Sequence, residues 1–171
     1  MPFETARLLL RSPRLTDAPP LFDFLGDVTA MQYTTPQASL RDCRRYLAAH
    51  ERQRRRLGCA PWVIIAKTTG ATIGFGGLYE DPFDPGWGVE VGYFFAPAAW
   101  GKGYATELTL FCIALAKQQA GWPMLRAFAH PQNFASQRVL LKSGFQRERF
   151  VPDMQRFLYR RDLRDSRATP A

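Results

Sequence analysis

A turn with two glycines, Trp100-Gly101-Lys102-Gly103-Tyr104-Ala105-Thr106, is the feature that most constrains the fold of this chain. An apolar, strand-like run, Val89–Phe95, leads into the turn, and a helical pattern begins near Tyr104. Glycine adopts backbone conformations that other residues avoid and lets a ligand approach the main chain closely. The free N–H groups of a helix start lie at the positive end of the helix dipole. The turn therefore predicts a phosphate-binding site, although an ordinary helix start would use the same residues.

A second segment further along the chain predicts a short helix over Ala135–Ser143. Asn133 precedes this helix and is a preferred N-cap residue. Gly144 follows it and is a preferred stop at a helix C-terminus.

Together the two segments resemble the GNAT superfamily of N-acetyltransferases. In that family the pyrophosphate loop has the pattern Gln/Arg-x-x-Gly-x-Gly/Ala. Gly103 and Ala105 match this pattern, and Trp100 departs from it at the first position. The sequence of the turn is most similar to that of the branch that includes the ribosomal-protein N-terminal acetyltransferases. The second motif of that branch is Asn-x-x-Ser followed by Lys-x-Gly-Phe. The matching residues here are Asn133, Ser136, Lys142, Gly144 and Phe145. The opening, Glu4–Arg11, is similar to the family's first strand, so the resemblance covers nearly the whole chain.

The resemblance and the order of the elements predict an α+β fold with helices on both faces of a central sheet. We expect about seven strands, mixed in direction and mostly antiparallel, in a single domain over residues 1–171 with a flexible tail at about 164–171. The strand–helix–strand unit from 89 to 130 predicts a right-handed crossover between two parallel neighbours.

The hydrophobic pattern gives approximate bounds for each element. The predicted strands are Arg7–Arg11, Pro61–Lys67, Ala71–Tyr79, Val89–Ala96, Met124–His130, Phe145–Val151 and Gln155–Leu163. A first helix is expected after Thr16 and Asp17, which can cap it, and a second runs from Ser39 to Gly58 with a capping-box-like start. These two helices lie where the family builds its acceptor lid.

Acetyl-CoA is the co-substrate that the resemblance implies, with no metal. The candidate residues for binding it lie on the strand before the turn, in the turn and at the second motif: Phe94, Phe95, Gly101, Lys102, Gly103, Tyr104, Ala105, Thr106, Asn133 and Ser136. Lys102 and Thr106 suit phosphate contacts by charge and loop position, and Asn133 is expected to contact the pantetheine arm.

Glu90 is the leading candidate for a general base. A primary alkylamine has a pKa near ~10.4 and is almost wholly protonated at neutral pH, whereas only the neutral amine attacks a thioester. Glu90 stands on the strand before the turn between Val89 and Val91, and the resembling branch often carries an acidic residue there. A carboxylate in a partly dry cleft has a raised pKa and can take a proton through water. Alternatively, Glu90 points outward and forms an ordinary ion pair.

Ser136 and His130 are the other catalytic candidates. Many members of the family donate a proton to the leaving sulphur from a Tyr on the second-motif helix, but the matching residue here is Leu140. Ser136 resembles the serine of the ribosomal-type branch and is a candidate for that task, or for satisfying the helix start. His130 ends a strand and titrates near working pH, yet a structural or substrate-lining role is equally compatible with its position.

Tyr33, Trp87 and Tyr93 are candidates for binding the acceptor amine, and Trp62 is a further one, although aromatic residues on strands are more often core. A ribosomal-type protein N-terminal α-amine is the first interpretation of the acceptor. A small amine, an amino-acid analogue or an antibiotic is the alternative. Transfer is expected to be direct, in a ternary complex.

Composition limits the other function classes. The formal charge of +8 favours acidic partners, and arginines crowd residues 41–56 and 156–167. A non-catalytic CoA-binding or RNA-associated module is therefore the alternative of another class, but nucleic-acid binding is not favoured because the basic segments lack interleaved aromatics. Cys43, Cys59 and Cys112 have no metal-ligand spacing and predict buried thiols. We expect a cytoplasmic monomer or homodimer without membrane spans.

Overall fold

The computed structural model describes residues 2–119 and 121–164, which form one sheet of eight strands and four α-helices. In chain order the elements are β1 Phe3–Glu4, β2 Leu8–Arg11, α1 Ala18–Leu25, α2 Leu40–Leu57, β3 Trp62–Ala66, β4 Thr72–Tyr79, β5 Glu90–Phe95, α3 Tyr104–Lys117, β6 Met124–Ala129, α4 Phe134–Lys142, β7 Gln146–Val151 and β8 Arg156–Asp162. Most of the expected tail, residues 165–171, lies outside the described residues.

The strand order across the sheet is β1-β2-β3-β4-β5-β6-β8-β7. Every neighbouring pair is antiparallel except β5 and β6. The predicted α+β class and the mixed, mostly antiparallel sheet are therefore confirmed, as is the parallel pair flanking the glycine turn. The expected count of about seven strands is one too low. The additional strand, β1, has only two residues, which is too short to leave an alternating pattern in the sequence.

The parallel pair is joined over a very short length. The register pairs β5 with β6 at Glu90 and Arg126, and the Arg126 N–H donates to the Val89 carbonyl at 3.0 Å. No other β5–β6 pair is present among the described residues. Beyond this point the two strands separate, which leaves one edge of β5 facing open space instead of a neighbouring strand.

Helices cover both faces of the sheet because strand residues alternate between them. Val63 and Phe75 pack with α1 and α2, whereas Trp62 and Ile64 pack with α3 and α4 in a larger core. Each of these four side chains is at most 4% exposed. Burying a side chain of this size stabilises the fold by about 1.5–3 kcal/mol. The two apolar layers hold β5 in the middle of the molecule.

The helix ends follow the predicted capping residues with one exception. Ser39 caps α2 by accepting from the Asp42 N–H at 3.1 Å, and Asn133 caps α4 by accepting from the Ser136 N–H at 3.1 Å. Asp17 does not cap α1 as expected. Its carboxylate pairs with the guanidinium of Arg11 at 2.6 and 2.7 Å, because the neighbouring strand brings that cation within reach.

None of the helices within residues 2–119 and 121–164 combines the length and the apolar character needed to cross a membrane.

Candidate active site

A cleft of about 980 Å³ opens where β5 and β6 separate. β5 and the glycine turn form one wall, and the end of β6 with the start of α4 forms the other. The links between α1 and α2, between β4 and β5, and between β7 and β8 complete the lining. The candidate residues brought together here are Tyr33, Glu90, Tyr93, Phe94, Phe95, Gly101, Gly103, Tyr104, Ala105, Thr106, His130, Asn133 and Ser136.

The glycine turn presents the bare start of α3 to the cleft. Gly101 and Gly103 have φ values of +72° and +79°, in the left-handed region that disfavours other residues. Gly103 is the N-cap residue, and no side chain caps the helix there. The first N–H groups of α3 are therefore available to a ligand, at the positive end of the helix dipole. This arrangement suits an anion such as a phosphate group.

An ion-paired brace holds the turn against the N-terminal strands. The Arg7 guanidinium donates to Glu107 in the first turn of α3 at 2.6 Å and to the Lys102 carbonyl at 2.8 Å. Thr5 donates to the same Glu107 carboxylate at 2.6 Å. Although partial burial opposes ionisation, these hydrogen bonds lower the pKa of Glu107. The carboxylate stays charged at neutral pH and fixes the turn without entering the cleft.

Trp100, which departs from the family's pyrophosphate pattern, also fixes the turn. Its indole N–H donates to the carbonyl of Phe95, the last residue of β5, at 2.9 Å. The side chain is 44% exposed and lines the cleft. The hydrogen bond joins the turn to the strand that precedes it. Trp100 therefore holds the backbone of the turn in place, although it differs from the residue of the family pattern.

Lys102, Trp87 and Trp62 do not line the cleft, unlike the other candidate residues, and Trp62 lies in the core. Lys102 is exposed, and its contribution to the turn is the carbonyl that accepts from Arg7. Trp87 packs edge-to-face on Phe128 with ring centroids 5.2 Å apart and donates its indole N–H to Asp84 at 3.3 Å. Phe128 and Asp84 are themselves lining residues, so Trp87 supports the cleft wall from behind.

Glu90 lies at the first position of β5 and is 5% exposed at the cleft. Burial raises the pKa of its carboxyl to about 8, and the nearby carboxylates of Asp81 and Asp84 act in the same direction. Arg126, its register partner on β6, partly opposes the shift. Glu90 forms no ion pair with any residue in 2–119 or 121–164, so the outward-facing alternative is not observed there. A carboxyl with this pKa exchanges protons at near-neutral pH, as a general base must.

Tyr93 and Ser136 form a hydroxyl pair across the cleft. The Tyr93 hydroxyl oxygen lies 3.2 Å from Ser136 Oγ, which joins β5 to the first turn of α4. Burial raises the pKa of Tyr93 to about 12, and the hydrogen bond with Ser136 opposes that shift. Tyr93 therefore keeps its proton at neutral pH. Leu140, which stands where many relatives carry a tyrosine, is 1% exposed in the core.

His130 and Asn133 are held by hydrogen bonds within the segment that joins β6 to α4. His130 Nδ1 accepts from the Gln132 N–H at 3.1 Å, which assigns the ring proton to Nε2. The ring stacks on Tyr33 with centroids 5.3 Å apart. This contact brings the link between α1 and α2 to the cleft. Asn133 lines the cleft while it caps α4 through its Oδ1 atom.

Several lining residues were not predicted from the sequence: Tyr79, Asp81, Asp84, Arg138, Lys142 and Arg156. Tyr79 is the cross-strand partner of Glu90, and only the register of β4 with β5 brings the two side chains together. Arg138 and Lys142 are four residues apart on α4, a spacing that places two cations on one helix face. That spacing was the available signal for a basic wall beside the predicted phosphate site.

The three cysteines lie outside the cleft lining and are buried. Burial raises the pKa of the Cys43 and Cys59 thiols to about 11, and it also raises the pKa of Cys112. Protonated thiols are poor nucleophiles. Within the described residues, no group of three or more His, Cys, Asp or Glu side chains is arranged to hold a metal ion.

Comparison with known proteins identifies the same family as the sequence motifs. The family model described as an acetyltransferase (GNAT) domain matches residues 7–146. The uncharacterized protein YkkB of Bacillus subtilis is 30% identical over 141 residues, which cover 82% of each chain.

Solved structures share the fold over almost the whole chain. An acetyltransferase from Agrobacterium tumefaciens str. C58 superposes with a TM-score of 0.80 at 24% identity and covers 94% of both chains. RimL, a ribosomal L7/L12 α-N-protein acetyltransferase in complex with coenzyme A, superposes with a TM-score of 0.79 at 16% identity. That match covers 95% of this chain and 98% of RimL.

Proposed function

The chain belongs to the GNAT family of acetyltransferases and is an N-acetyltransferase, and from that premise we propose that it transfers acetyl directly from acetyl-CoA to a primary amine. The cleft is the proposed site of transfer. β5 is its axis, with the glycine turn after its last residue and Glu90 at its first. At about 3.3 Å per residue, the strand spans roughly 17 Å, enough to separate a phosphate site from the reacting atoms.

The residues at the glycine turn fit the pyrophosphate of a CoA molecule. Two left-handed glycines expose the uncapped N–H groups of α3, and nothing lies within 4 Å of a Cβ atom placed on Gly101. Glycine is therefore required there for backbone conformation, not for want of space. Arg138 and Lys142 add positive charge to the opposite wall. Phosphate groups would be held by backbone N–H groups and by these cations.

The unpaired edge of β5 suits the pantetheine arm. Pantetheine carries amide groups, and an extended ligand can pair with an open strand edge as an additional strand would. Asn133 is the candidate residue on the opposite wall. An arm held along β5 would direct the thioester from the turn toward the first residues of the strand.

When bound, acetyl-CoA supplies an activated acetyl group, so the protein's tasks are to orient the amine and to move one proton. Glu90 is the proposed base. It takes the proton from the incoming ammonium, directly or through one water molecule, and the neutral amine then attacks the thioester carbonyl. A pKa of about 8 makes Glu90 a stronger base than an ordinary carboxylate, and it returns the proton to solvent more readily as the pH rises through that value. His130 lines the same cleft and is the second candidate.

The Tyr93–Ser136 pair is proposed to act on the leaving sulphur. The hydroxyl pair can donate a hydrogen bond to the thiolate as the C–S bond breaks. It would take the place of the tyrosine that is missing at Leu140. Because a thiol of pKa ~8.5 also leaves without assistance, this contribution is smaller than that of the base.

The observation that carries the proposal is the placement of Glu90, buried and facing the same cleft as the bare helix start of α3. A screen of N-terminal peptides and small primary amines, with acetyl-CoA and a reagent for the released thiol, tests it. Amine-dependent CoA release with a mass increase of one acetyl group on the acceptor is the expected result. Tight acetyl-CoA binding without transfer to any amine would instead indicate a non-catalytic CoA-binding protein.

A further inference from the structure

The end of the cleft near the start of β5 is acidic, although the chain as a whole carries a formal charge of +8. Asp81 and Asp84 from the β4–β5 link and Glu90 from β5 line it, and both aspartates act on the pKa of Glu90. Arg156 is the cation that lines this end within the described residues. The basic residues of α4 belong to the other wall. The carboxylates of Asp81 and Asp84 produce a local field that attracts a cation, and at Glu90 their effect outweighs that of Arg126.

Glu90 is the buried member of this group and has no fixed partner. It is 5% exposed, and no described residue forms a hydrogen bond or ion pair with its carboxylate. Burying such a group without a partner costs free energy. Protonation relieves this cost, and a bound cation such as an ammonium group would stabilise the carboxylate form instead.

Asp81 and Asp84 are fixed by their own loop but retain free acceptor oxygens. Asp81 Oδ1 accepts from the Phe83 N–H at 2.8 Å, and Asp84 Oδ2 accepts from the Trp87 indole at 3.3 Å. Each carboxylate has two oxygens and about four lone-pair positions, so one local hydrogen bond leaves room for a ligand. These contacts orient both carboxylates without neutralising them.

A single reacting amine does not account for all of these charges. That amine must lose its proton before it attacks, so its charge disappears at the moment of transfer. Glu90 receives the proton and serves the reacting nitrogen. Asp81 and Asp84 then still face the cleft with two negative charges, which a second and permanent cation on the acceptor would satisfy.

We propose that the acceptor is a diamine, whose second ammonium group is held by Asp81 and Asp84 while its first amine reacts beside Glu90. The inference rests on the proposed function and specifies its substrate class. A free diamine and a peptide with a lysine near its N-terminus share this chemistry. An acceptor that carries a carboxylate would instead use Arg156.

Equilibrium binding tests the inference without requiring transfer. In calorimetry on the protein saturated with CoA, 1,3-diaminopropane should bind about two- to fivefold more tightly than propylamine, a difference in the range of an exposed ion pair. Raised salt should reduce the difference. Equal affinity for the two amines, or tighter binding of β-alanine than of 1,3-diaminopropane, would overturn the inference.

Steady-state kinetics with matched variants provides the second test. Asp81→Asn and Asp84→Asn keep the oxygen that accepts the local hydrogen bond and remove the charge. Each should raise the KM for 1,3-diaminopropane about two- to fivefold more than the KM for propylamine, whereas any change in kcat that arises from the lowered pKa of Glu90 should be the same for both amines. Glu148→Gln, on an exposed residue of β7, removes one charge away from the cleft and should alter neither KM.

The outcomes separate the two proposals. Transfer to propylamine or to neutral peptides as efficiently as to 1,3-diaminopropane leaves the acetyltransferase proposal standing and refutes the diamine. Tight and salt-sensitive diamine binding without any transfer refutes the proposed reaction but not the acidic site. Comparison of 1,3-diaminopropane with a Lys-containing peptide identifies which source of the second charge is preferred.

Discussion

The two ends of β5 face the same cleft but are built from different parts of the chain. At the carboxyl end, the main chain forms the site, with left-handed glycines and uncapped N–H groups of α3. At the amino end, side chains form it, with Glu90 buried beside Asp81 and Asp84. A main-chain site depends on which backbone conformations are allowed. A side-chain site depends on burial and charge, which arise only when distant segments pack together.

This difference predicts how each end responds to substitution. A β-carbon at a left-handed glycine moves the backbone and removes the binding surface, so affinity falls. An isosteric change at Glu90 leaves the shape of the cleft intact and removes only the proton acceptor, so the rate falls.

The largest expected effect is at the acidic end. Glu90→Gln should lower kcat by about 10²–10⁴-fold at neutral pH, because the amide cannot take the proton of the amine. The wild-type rate should rise with pH through about 8, since the raised pKa keeps the carboxyl protonated, and inactive as a base, below that value. The rate of the variant should not follow this titration, and its deficit should shrink toward pH ~10, where a much larger fraction of the amine is already neutral.

Rate measurements from pH 6 to 10 check this prediction, with Glu148→Gln as the control for a lost charge. Wild-type turnover by Glu90→Gln across the range would exclude Glu90 as the base, and His130→Ala would then be the next variant. A deficit of constant size at every pH would instead indicate that Glu90 positions the substrate.

The next largest effect is expected at the glycine turn. Gly103→Val should weaken acetyl-CoA binding about 100-fold or more, because valine disfavours the φ of +79° that directs the α3 N–H groups to the phosphates. Gly70→Val is the matched control, with a φ of +69° and open space in the β3–β4 turn. It should lose a similar amount of stability and keep its affinity. Calorimetry with equal loss of affinity in both variants would show that strain alone, not the location of the turn, matters.

A smaller effect is expected at the hydroxyl pair that lies between the two ends. Tyr93→Phe and Ser136→Ala should each lower kcat by about tenfold, and the double variant should be little worse than either one, because the hydroxyls act together. Tyr159→Phe, which removes a hydroxyl from a buried tyrosine outside the cleft lining, is the control. Fully additive losses in the double variant would contradict a shared role.

The smallest effect is expected from the thiols. Replacing Cys43, Cys59 and Cys112 with alanine should leave kcat within about twofold of wild type, since burial keeps the thiols protonated and transfer is direct. Mass spectrometry of the quenched reaction gives the complementary readout. An acetyl group trapped on a cysteine of the wild type, together with an inactive folded triple variant, would show a covalent route.

The contrast between the ends of β5 also explains what the sequence could predict. Gly101, Gly103 and Asn133 act through backbone conformation and capping, which are local, and their positions followed from spacing. Helices on both faces of the sheet were predicted from the family resemblance and the order of the elements, and Val63 and Ile64 pack against opposite helical layers.

The acidic end depended on contacts that no local pattern encodes. Tyr79 meets Glu90 through strand register, and Asp81 and Asp84 approach it through the fold of the loop between β4 and β5. Trp87 was one of the aromatic candidates for binding the acceptor. Its packing on Phe128 instead places it behind the wall.

Backbone amide shifts test the central claim, that the two ends of β5 divide cofactor binding from proton transfer. The ¹⁵N-labelled protein is titrated with CoA and, separately, with phosphate-free pantetheine. We expect the amides of Gly103, Tyr104, Ala105 and Thr106 to shift with CoA and to stay in place with pantetheine, whereas amides of β5 shift with both. A CoA titration that leaves those four amides unchanged would contradict the account.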